Sequence, residues 1–190
     1  MKQENINIKY EVFNYEELCN EDRELADKAR QAEKESYSPY SHFKVGCAVR
    51  LSNKEIVTGA NQENAAYPSG LCAERTALFK AGMKQAQQDG KALYVTAMAV
   101  SASDEKNNPA TAYPCGACRQ VMYESEQRNK RNVVCENAEK HGDCNGKHND
   151  CQDNYTEFDG DIRILIVRKD NTVLQIKGAG NLLPLSFDLN

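Results

Sequence analysis

Hydrophobic and polar residues alternate in several stretches of the chain, as is typical of β-strands. Phe43 to Leu51 carries valine and cysteine on one side, and Glu55 to Gln62 pairs with it across a turn. Leu93 to Ser103 is almost continuously apolar, which predicts a strand covered on both faces. Ile162 to Arg168 and Thr172 to Lys177 predict two more strands. The pattern therefore predicts a sheet of about five strands.

Three other stretches place small or apolar residues at helical spacing among charged ones. They predict helices over about 15–36, 72–88 and 115–129, the last starting just after Pro114. Residues 1–13 are predicted to form an extended N-terminal arm. Strands with helices between them indicate one three-layer α/β/α domain spanning residues 1–190, with a mixed sheet at its centre.

One segment does not fit this pattern. Residues 136–161 contain eight acidic residues and two lysines, for a net charge of −6, and their large apolar residues are Tyr155 and Phe158. This composition predicts an inserted polar loop that projects from the domain and is dispensable for chemistry. Five potential metal ligands lie in or beside it, so a second bound metal and a simply solvated loop both stay open: Cys135, His141, Cys144, His148 and Cys151.

Composition and charge exclude several classes of protein. The 190-residue chain has a net charge of −4 and no long basic run, which disfavours a nucleic-acid-binding surface. The longest aliphatic run is Ile164 to Val167, so no membrane span is expected. The N-terminus lacks the features of a signal peptide. We therefore expect a cytoplasmic protein whose eight cysteines are reduced thiols, some of them ligands.

Two short motifs at the predicted helix starts carry the candidate chemistry. The first is Cys72-Ala73-Glu74-Arg75, and the second, Pro114-Cys115-Gly116-Ala117-Cys118, puts two sulfurs one helical turn apart. A C-x-x-C motif alone is equally typical of a redox pair or of half a structural zinc site. Three thiolates, however, leave a fourth position for water, as in catalytic zinc sites.

The spacing of the first motif constrains where its helix begins. Residues two apart inside a helix point to nearly opposite sides, so Cys72 must lie at or before the helix start, with Glu74 in the first turn. The positive end of each helix dipole then favours the thiolate form of its cysteines. Three thiolates leave a zinc site with a net negative charge, and we expect Arg75 to offset it by hydrogen bonding to a thiolate.

The order C-x-E followed by P-C-x-x-C matches the signature of zinc nucleobase deaminases, with cysteine in place of their histidine. Together with SYSPYSHFKVG (36–46), NQENAAYPSGLCAERTALFKAG (61–82) and PCGACRQV (114–121), it makes the chain resemble small cytidine deaminases of the three-thiolate type. The resemblance covers residues 24–129 and 162–187. It implies the cytidine-deaminase fold and one catalytic zinc ion per chain, held by Cys72, Cys115 and Cys118, with Glu74 as the catalytic proton carrier.

The resemblance also implies a substrate site and an assembly. Asn61 and Glu63 are expected to hold the ribose hydroxyls, and Phe43 to pack near the substrate. Gln62 departs from the family, where an aliphatic residue is usual. The assembly implied is a homotetramer in which Phe187 reaches a neighbour's site. The expected substrate-binding residues are Phe43, Asn61, Gln62, Glu63, Asn64, Ala65, Ala66 and Tyr67.

The expected activity is hydrolytic deamination of cytidine and 2′-deoxycytidine to uridine and 2′-deoxyuridine, with release of ammonia, in pyrimidine salvage. The substrate is thus a free pyrimidine nucleoside. Two alternatives stay open: a deaminase of a related heterocycle or of a nucleic-acid base, and a catalytically inactive zinc-binding scaffold. The acidic balance argues against nucleic acid, and the intact Glu74 argues against an inactive scaffold.

Overall fold

The computed structural model of the protein describes residues 2–85, 93–140 and 159–187, and for residues 133–140 the backbone alone. Within these ranges, seven strands form a single sheet, two more than expected. The additions are a strand in the N-terminal arm and a two-residue strand beside the central one. The strands are β1 (Glu11–Asn14), β2 (Lys44–Leu51), β3 (Ile56–Ala60), β4 (Val95–Ser103), β5 (Pro109–Ala110), β6 (Arg163–Val167) and β7 (Thr172–Lys177).

The sheet is mixed, as predicted. Its strand order is β1-β7-β6-β4-β2-β3, with β5 paired to β4. β4 and β6 run parallel, and the other neighbouring strands are antiparallel. The nearly continuous apolar run in β4 is buried on both faces: Met98 and Val100 pack on one side, and Ala97 and Ala99 on the other. A strand at the centre of three layers is covered on both faces, so most of its residues are apolar.

Helices cover both faces of the sheet, which confirms the three-layer α/β/α architecture. They are α1 (Asn20–Ala32), α2 (Ala73–Gln85) and α3 (Gly116–Lys140). α1 packs on one face through residues such as Leu25 and Ala29, while α2 and α3 share the opposite face. No helix within the described ranges is long and apolar enough to cross a membrane.

The boundaries of two helices differ from those predicted. The stretch predicted as one helix over 15–36 begins as a separate 3₁₀ turn, Tyr15–Glu17, which Asn14 caps by donating its backbone N–H to Glu17 Oε2 at 2.7 Å. α3 continues past Asn129 to Lys140, so residues 136–140 are helical rather than part of a loop. Of the remainder of the predicted insert, residues 141–158 lie outside the described residues, and residues 159–161 lead into β6.

A glycine on β3 fixes how closely α2 approaches the sheet. A Cβ atom at Gly59 would lie 2.5 Å from the backbone nitrogen of Ala77 on α2, closer than real side chains come. The helix therefore lies directly on the strand, with no side chain between their backbones. This contact sets the position of α2, whose first turn contains Glu74.

Two buried polar residues of α3 hold the sheet and the C-terminal tail against that helix. Glu126 Oε2 accepts the backbone N–H groups of Ile162, at 3.1 Å, and Ala179, at 2.7 Å. Asn129 exchanges hydrogen bonds with both backbone groups of Val95, at 3.0 and 2.8 Å. Since unpaired backbone groups are costly in a core, these two side chains supply hydrogen-bond partners for backbone groups at or near the ends of β4, β6 and β7.

Candidate metal centre and active site

Two helix starts meet on the same face of the sheet and bring three cysteines together. Cys72 directly precedes α2, and its carbonyl accepts the backbone N–H of Thr76 at 3.1 Å. Cys115 directly precedes α3, and its carbonyl accepts the N–H of Arg119 at 2.9 Å. Both cysteines thus cap their helices at the positive end of the helix dipole, which favours thiolates. Cys118 lies in the first turn of α3.

The three sulfur atoms have the separation that a zinc ion requires. Cys72 Sγ and Cys115 Sγ are 3.9 Å apart, Cys115 Sγ and Cys118 Sγ are 3.4 Å apart, and all three lie within 4.8 Å of one another. With zinc–sulfur bonds of about 2.3 Å, the sulfurs of a tetrahedral site lie about 3.8 Å apart. In the described part of the chain, this is the one cluster of three or more potential metal ligands. Its donors fit zinc.

Hydrogen bonds and a neighbouring charge shift the pKa values of the cluster's thiols. A hydrogen bond from Cys118 lowers the pKa of the Cys72 thiol to about 5 against the effect of burial, and Arg75 adds to the lowering. The pKa of Cys118 is raised because it keeps its proton in that bond and is buried. Arg75 Nη2 lies 3.9 Å from Cys72 Sγ and donates to the carbonyl of Gly70 at 3.1 Å. Arg75 therefore lies where its positive charge offsets a thiolate.

Glu74 lies in the first turn of α2 and is only 4% exposed. Burial raises the pKa of its carboxyl, and the charge of the nearby Cys72 raises it further. A hydrogen bond from its own backbone N–H and the charge of Arg75 oppose part of this rise. The carboxyl group therefore faces the sulfur cluster in a dry environment, which suits a group that takes up and releases a proton.

Asn61 follows β3 and is almost fully engaged by hydrogen bonds within the protein. Its Oδ1 accepts the Ser36 hydroxyl at 2.6 Å and the Val45 backbone N–H at 2.8 Å. Its Nδ2 donates to the carbonyl of Phe43 at 2.9 Å. An amide group has two acceptor positions and two donor hydrogens. One N–H therefore stays available for a ligand.

Glu63 is engaged in a similar way by the loop that precedes β2. Its Oε2 accepts the backbone N–H groups of Tyr40, at 3.0 Å, and Ser41, at 3.2 Å, and its Oε1 accepts the Ser41 hydroxyl. Although burial works in the opposite direction, these hydrogen bonds lower the pKa of Glu63. A carboxylate has about four acceptor positions, and three are filled. About one acceptor position stays available for a ligand.

Two backbone hydrogen bonds bring the Asn61–Tyr67 loop next to the cysteine cluster. Gln62 and Leu71 exchange backbone hydrogen bonds of 2.8 and 2.9 Å, and Leu71 directly precedes Cys72. Gln62 Nε2 donates to the carbonyl of Glu35 at 3.1 Å, so this side chain holds the segment after α1. Asn64 Oδ1 accepts the N–H of Ala66 at 2.9 Å and shapes the loop.

The other predicted substrate-binding residues are half-buried or exposed. Phe43 is half-buried, and Ala65 and Ala66 are exposed. Tyr67 is exposed and packs edge-to-face on Tyr40, with the ring centroids 6.1 Å apart. The loop therefore presents both polar and aromatic groups to solvent beside the cysteines.

Phe187 lies at the end of a tail that runs along the start of α3. Its carbonyl accepts Gln120 Nε2 at 3.1 Å, and Arg119 Nη1 donates to the carbonyl of Leu182 at 3.1 Å. The Phe187 side chain is 69% exposed.

The sequence pattern did not predict a role for Ser36 and Ser41. Their hydroxyl groups hold Asn61 and Glu63. Both serines belong to the SYSPYS segment, one of the motifs that carry the family resemblance.

Comparison with known proteins identifies the family. A family model described as the cytidine and deoxycytidylate deaminase zinc-binding region matches residues 19–136. The chain belongs to this deaminase family. Among deaminase relatives, a cytidine deaminase of Halalkalibacterium halodurans is 46% identical over 100 residues, which span 53% of this chain and 68% of that protein. A probable cytidine deaminase of Dictyostelium discoideum is 40% identical over 112 residues, spanning 59% and 67%.

The fold of this deaminase family member agrees with that of solved relatives. The crystal structure of a cytidine deaminase from Burkholderia pseudomallei matches it with a TM-score of 0.57 and 29% sequence identity, covering 86% of this chain and 97% of that one. The family match includes all three cysteines and Glu74. The family's zinc-binding region and the sulfur geometry therefore agree on the metal.

Proposed function

We propose that the protein is a zinc-dependent enzyme that hydrolyses cytidine and 2′-deoxycytidine to uridine and 2′-deoxyuridine, releasing ammonia in pyrimidine salvage. The observation that carries this proposal is a buried carboxyl group, Glu74, facing three sulfur ligands at two helix starts. Three thiolates leave one coordination position for chemistry, and the adjacent carboxyl supplies the proton carrier.

The reaction needs two proton transfers, and Glu74 serves both. When bound, zinc is a Lewis acid that makes water a stronger nucleophile. Glu74 accepts a proton from the attacking water and delivers it to N3 of the cytosine ring as the C4–O bond forms. It then takes the second proton from the new hydroxyl group on C4 and passes it to the 4-amino group. The C4–N bond breaks, the C4=O bond forms and ammonia leaves. Arg75 steadies the ligand Cys72 by offsetting its charge.

The sugar site supports turnover of both nucleosides. Asn61 has one donor hydrogen to spare, and Glu63 has about one acceptor position. Together they match one hydroxyl group, which accepts one hydrogen bond and donates another. Cytidine and 2′-deoxycytidine share their 3′-hydroxyl, so this pair of residues accommodates either. Phe43, half-buried directly before β2, packs near the base.

The proposed assembly is a homotetramer in the cytoplasm. The exposed Phe187 and the neighbouring Leu185, which is 93% exposed, give the tail an apolar surface that a second copy would cover. In this arrangement Phe187 completes a neighbour's substrate site. A reducing compartment keeps the three ligand thiols available to zinc.

The decisive experiment is cytidine turnover, followed by ultraviolet absorbance before and after removal of zinc with a chelator. We expect activity that chelation abolishes and added zinc restores. Parallel assays with a cytosine-containing single-stranded oligonucleotide and with related heterocycles separate the alternatives. Turnover of the oligonucleotide but not of free cytidine would contradict the proposal, and a zinc-loaded protein inactive on every substrate would indicate a binding scaffold.

A further inference from the structure

Ser41 connects the two sides of the proposed substrate site. Its hydroxyl donates to Glu63 Oε1, and its backbone N–H donates to Glu63 Oε2 at 3.2 Å. The same hydroxyl oxygen accepts the backbone N–H of Phe43 at 3.0 Å. One side chain thus contacts both the carboxylate expected to hold the sugar and the backbone of the aromatic residue expected to pack near the base.

These contacts determine the direction of the Ser41 hydroxyl. A hydroxyl group has one hydrogen to donate. The N–H of Phe43 occupies a lone pair of the Ser41 oxygen, and Glu63 can only accept when it is ionised. The hydrogen therefore points at Glu63 Oε1. Because a hydrogen bond to a charged group is stronger than one between neutral groups, it holds the carboxylate in one orientation.

The loop around Ser41 needs such restraints. The next residue, His42, has a φ of 56°, in the left-handed region that non-glycine residues seldom adopt. Its backbone N–H donates to the carbonyl of Ser38 at 3.1 Å, which closes the turn. A conformation of this kind persists only where surrounding contacts hold it. Ser41 supplies two of those contacts on the side of the turn that faces Glu63.

We infer that Ser41 is a positioning residue of the sugar site: it aims the free acceptor position of Glu63 and so sets the preference for nucleosides that carry a ring hydroxyl on the sugar. This inference rests on the proposed function. Ser41 itself has no free hydrogen for a ligand, so its effect on the substrate passes through Glu63. Loss of the hydroxyl leaves the carboxylate held at Oε2 by two backbone N–H groups, but Oε1 is no longer fixed.

The test compares Ser41→Ala with a matched control, Ser52→Ala. Ser52 follows the far end of β2, where its hydroxyl accepts the backbone N–H of Tyr94 at 3.2 Å. We expect Ser41→Ala to lower kcat/KM for cytidine about tenfold, mainly through KM, because a hydrogen bond to a charged group is lost. Ser52→Ala should change kcat/KM less than about twofold. Zinc content and melting temperature are measured for each protein.

A ligand without ring hydroxyls separates positioning from a general loss of structure. 2′,3′-Dideoxycytidine is measured as a competing ligand, so it need not be turned over. Its inhibition constant should differ by less than about twofold between wild type and Ser41→Ala, since it makes no hydrogen bond to Glu63. An equal loss of affinity for cytidine and for the dideoxynucleoside would overturn the inference.

A double-mutant cycle tests the route through Glu63. In a Glu63→Gln background, Ser41→Ala should cost less than about twofold in kcat/KM, because the charged partner is already gone. Ser41→Thr, which keeps the hydroxyl, should restore activity to within about threefold of wild type. Additive losses in the double mutant would refute the coupling.

A variant that fails to fold and a wild type that lacks activity lead to different conclusions. If Ser41→Ala does not fold, Ser41→Cys keeps the side-chain volume but donates weakly, and it is compared in the same way. If the zinc-loaded wild type does not turn over cytidine, the proposed function itself fails. Wild-type turnover with no effect of Ser41 substitutions overturns the role of Ser41 alone.

Discussion

At the scale of single residues, the proposed chemistry depends most on Glu74. The carboxyl group is buried and faces the sulfur cluster, but Glu74 is not among the three potential metal ligands. Its neighbours Cys72 and Arg75 belong to the same four-residue motif, but the residues of this motif differ in burial and in their position relative to the helix. Cys72 lies at the helix start and is half-buried, whereas Glu74 lies in the first turn, shielded from water.

Glu74→Gln should separate metal binding from catalysis. The amide keeps the shape of the side chain but cannot carry protons, so we expect kcat to fall by about a hundredfold or more. Zinc content should not change, since the three sulfur ligands remain. Turnover of cytidine and metal analysis on the same sample check this. A zinc-loaded Glu74→Gln protein that kept more than a few per cent of wild-type activity would contradict the role.

At the scale of secondary-structure elements, the site depends on how closely α2 lies on β3. The two backbones touch at Gly59 and Ala77, one helical turn beyond Glu74. The N-terminal ends of α2 and α3 meet at the cysteines because both helices lie on one face of the sheet. A shift of either helix moves one ligand away from the other two.

Gly59→Ala should disturb this arrangement. The added methyl group collides with the backbone of α2, so we expect the free energy of unfolding to fall by about 1–3 kcal/mol. Zinc affinity should fall with it as Cys72 moves. Thermal melting and zinc titration measure both. The matched control is Gly180→Ala, where a Cβ meets nothing within 4 Å; equal effects at the two glycines would argue against the close contact as the cause.

At the scale of the whole molecule, the C-terminal tail runs along the start of α3 and presents the exposed side chain of Phe187. Phe187→Ala should raise KM for cytidine several-fold while zinc content stays constant, because the residue completes a neighbour's site in the proposed tetramer. Sedimentation of the wild type reports the assembly. A fully active monomer would refute both the tetramer and the role of Phe187.

The segment between α3 and β6 provides a second prediction at this scale. Replacing residues 141–158 with a short Gly/Ser linker should leave cytidine turnover within about twofold, since the free-energy cost of loop closure grows only logarithmically with length. Glu126 holds α3 to the start of β6 at Ile162 in either protein. Turnover lost in a still-folded deletion would show that the segment takes part in function.

Metal analysis of the same pair of proteins tests for a second site. If the histidines and cysteines of that segment bind zinc, the wild type should contain about two zinc ions per chain and the deletion about one. One ion per chain in both proteins would show that zinc binds at Cys72, Cys115 and Cys118 and that the segment holds no second ion.

The sequence by itself determined the elements whose causes are local. β7 occupies the predicted range Thr172–Lys177, and the predicted strand over Leu93 to Ser103 differs from β4 by two residues at one end. Side-chain periodicity fixes such elements, because it reports which residues are covered on one face or on both. The C-x-x-C spacing is equally local, since one turn of helix brings Cys115 and Cys118 together.

Only the tertiary structure decided which distant segments meet. β1 pairs with β7, with Glu11 opposite Gln175. The sequence pattern of the N-terminal arm does not indicate which strand it pairs with. The charge of Glu126 predicts a surface position. The residue is nevertheless buried, because two backbone N–H groups from segments that follow α3 need an acceptor there. Ser41 acquires its role in the same way, since its partner Glu63 lies across a strand pair. Hydrogen bonds between remote segments depend on where the whole chain places both partners, and periodicity along the sequence does not contain that information.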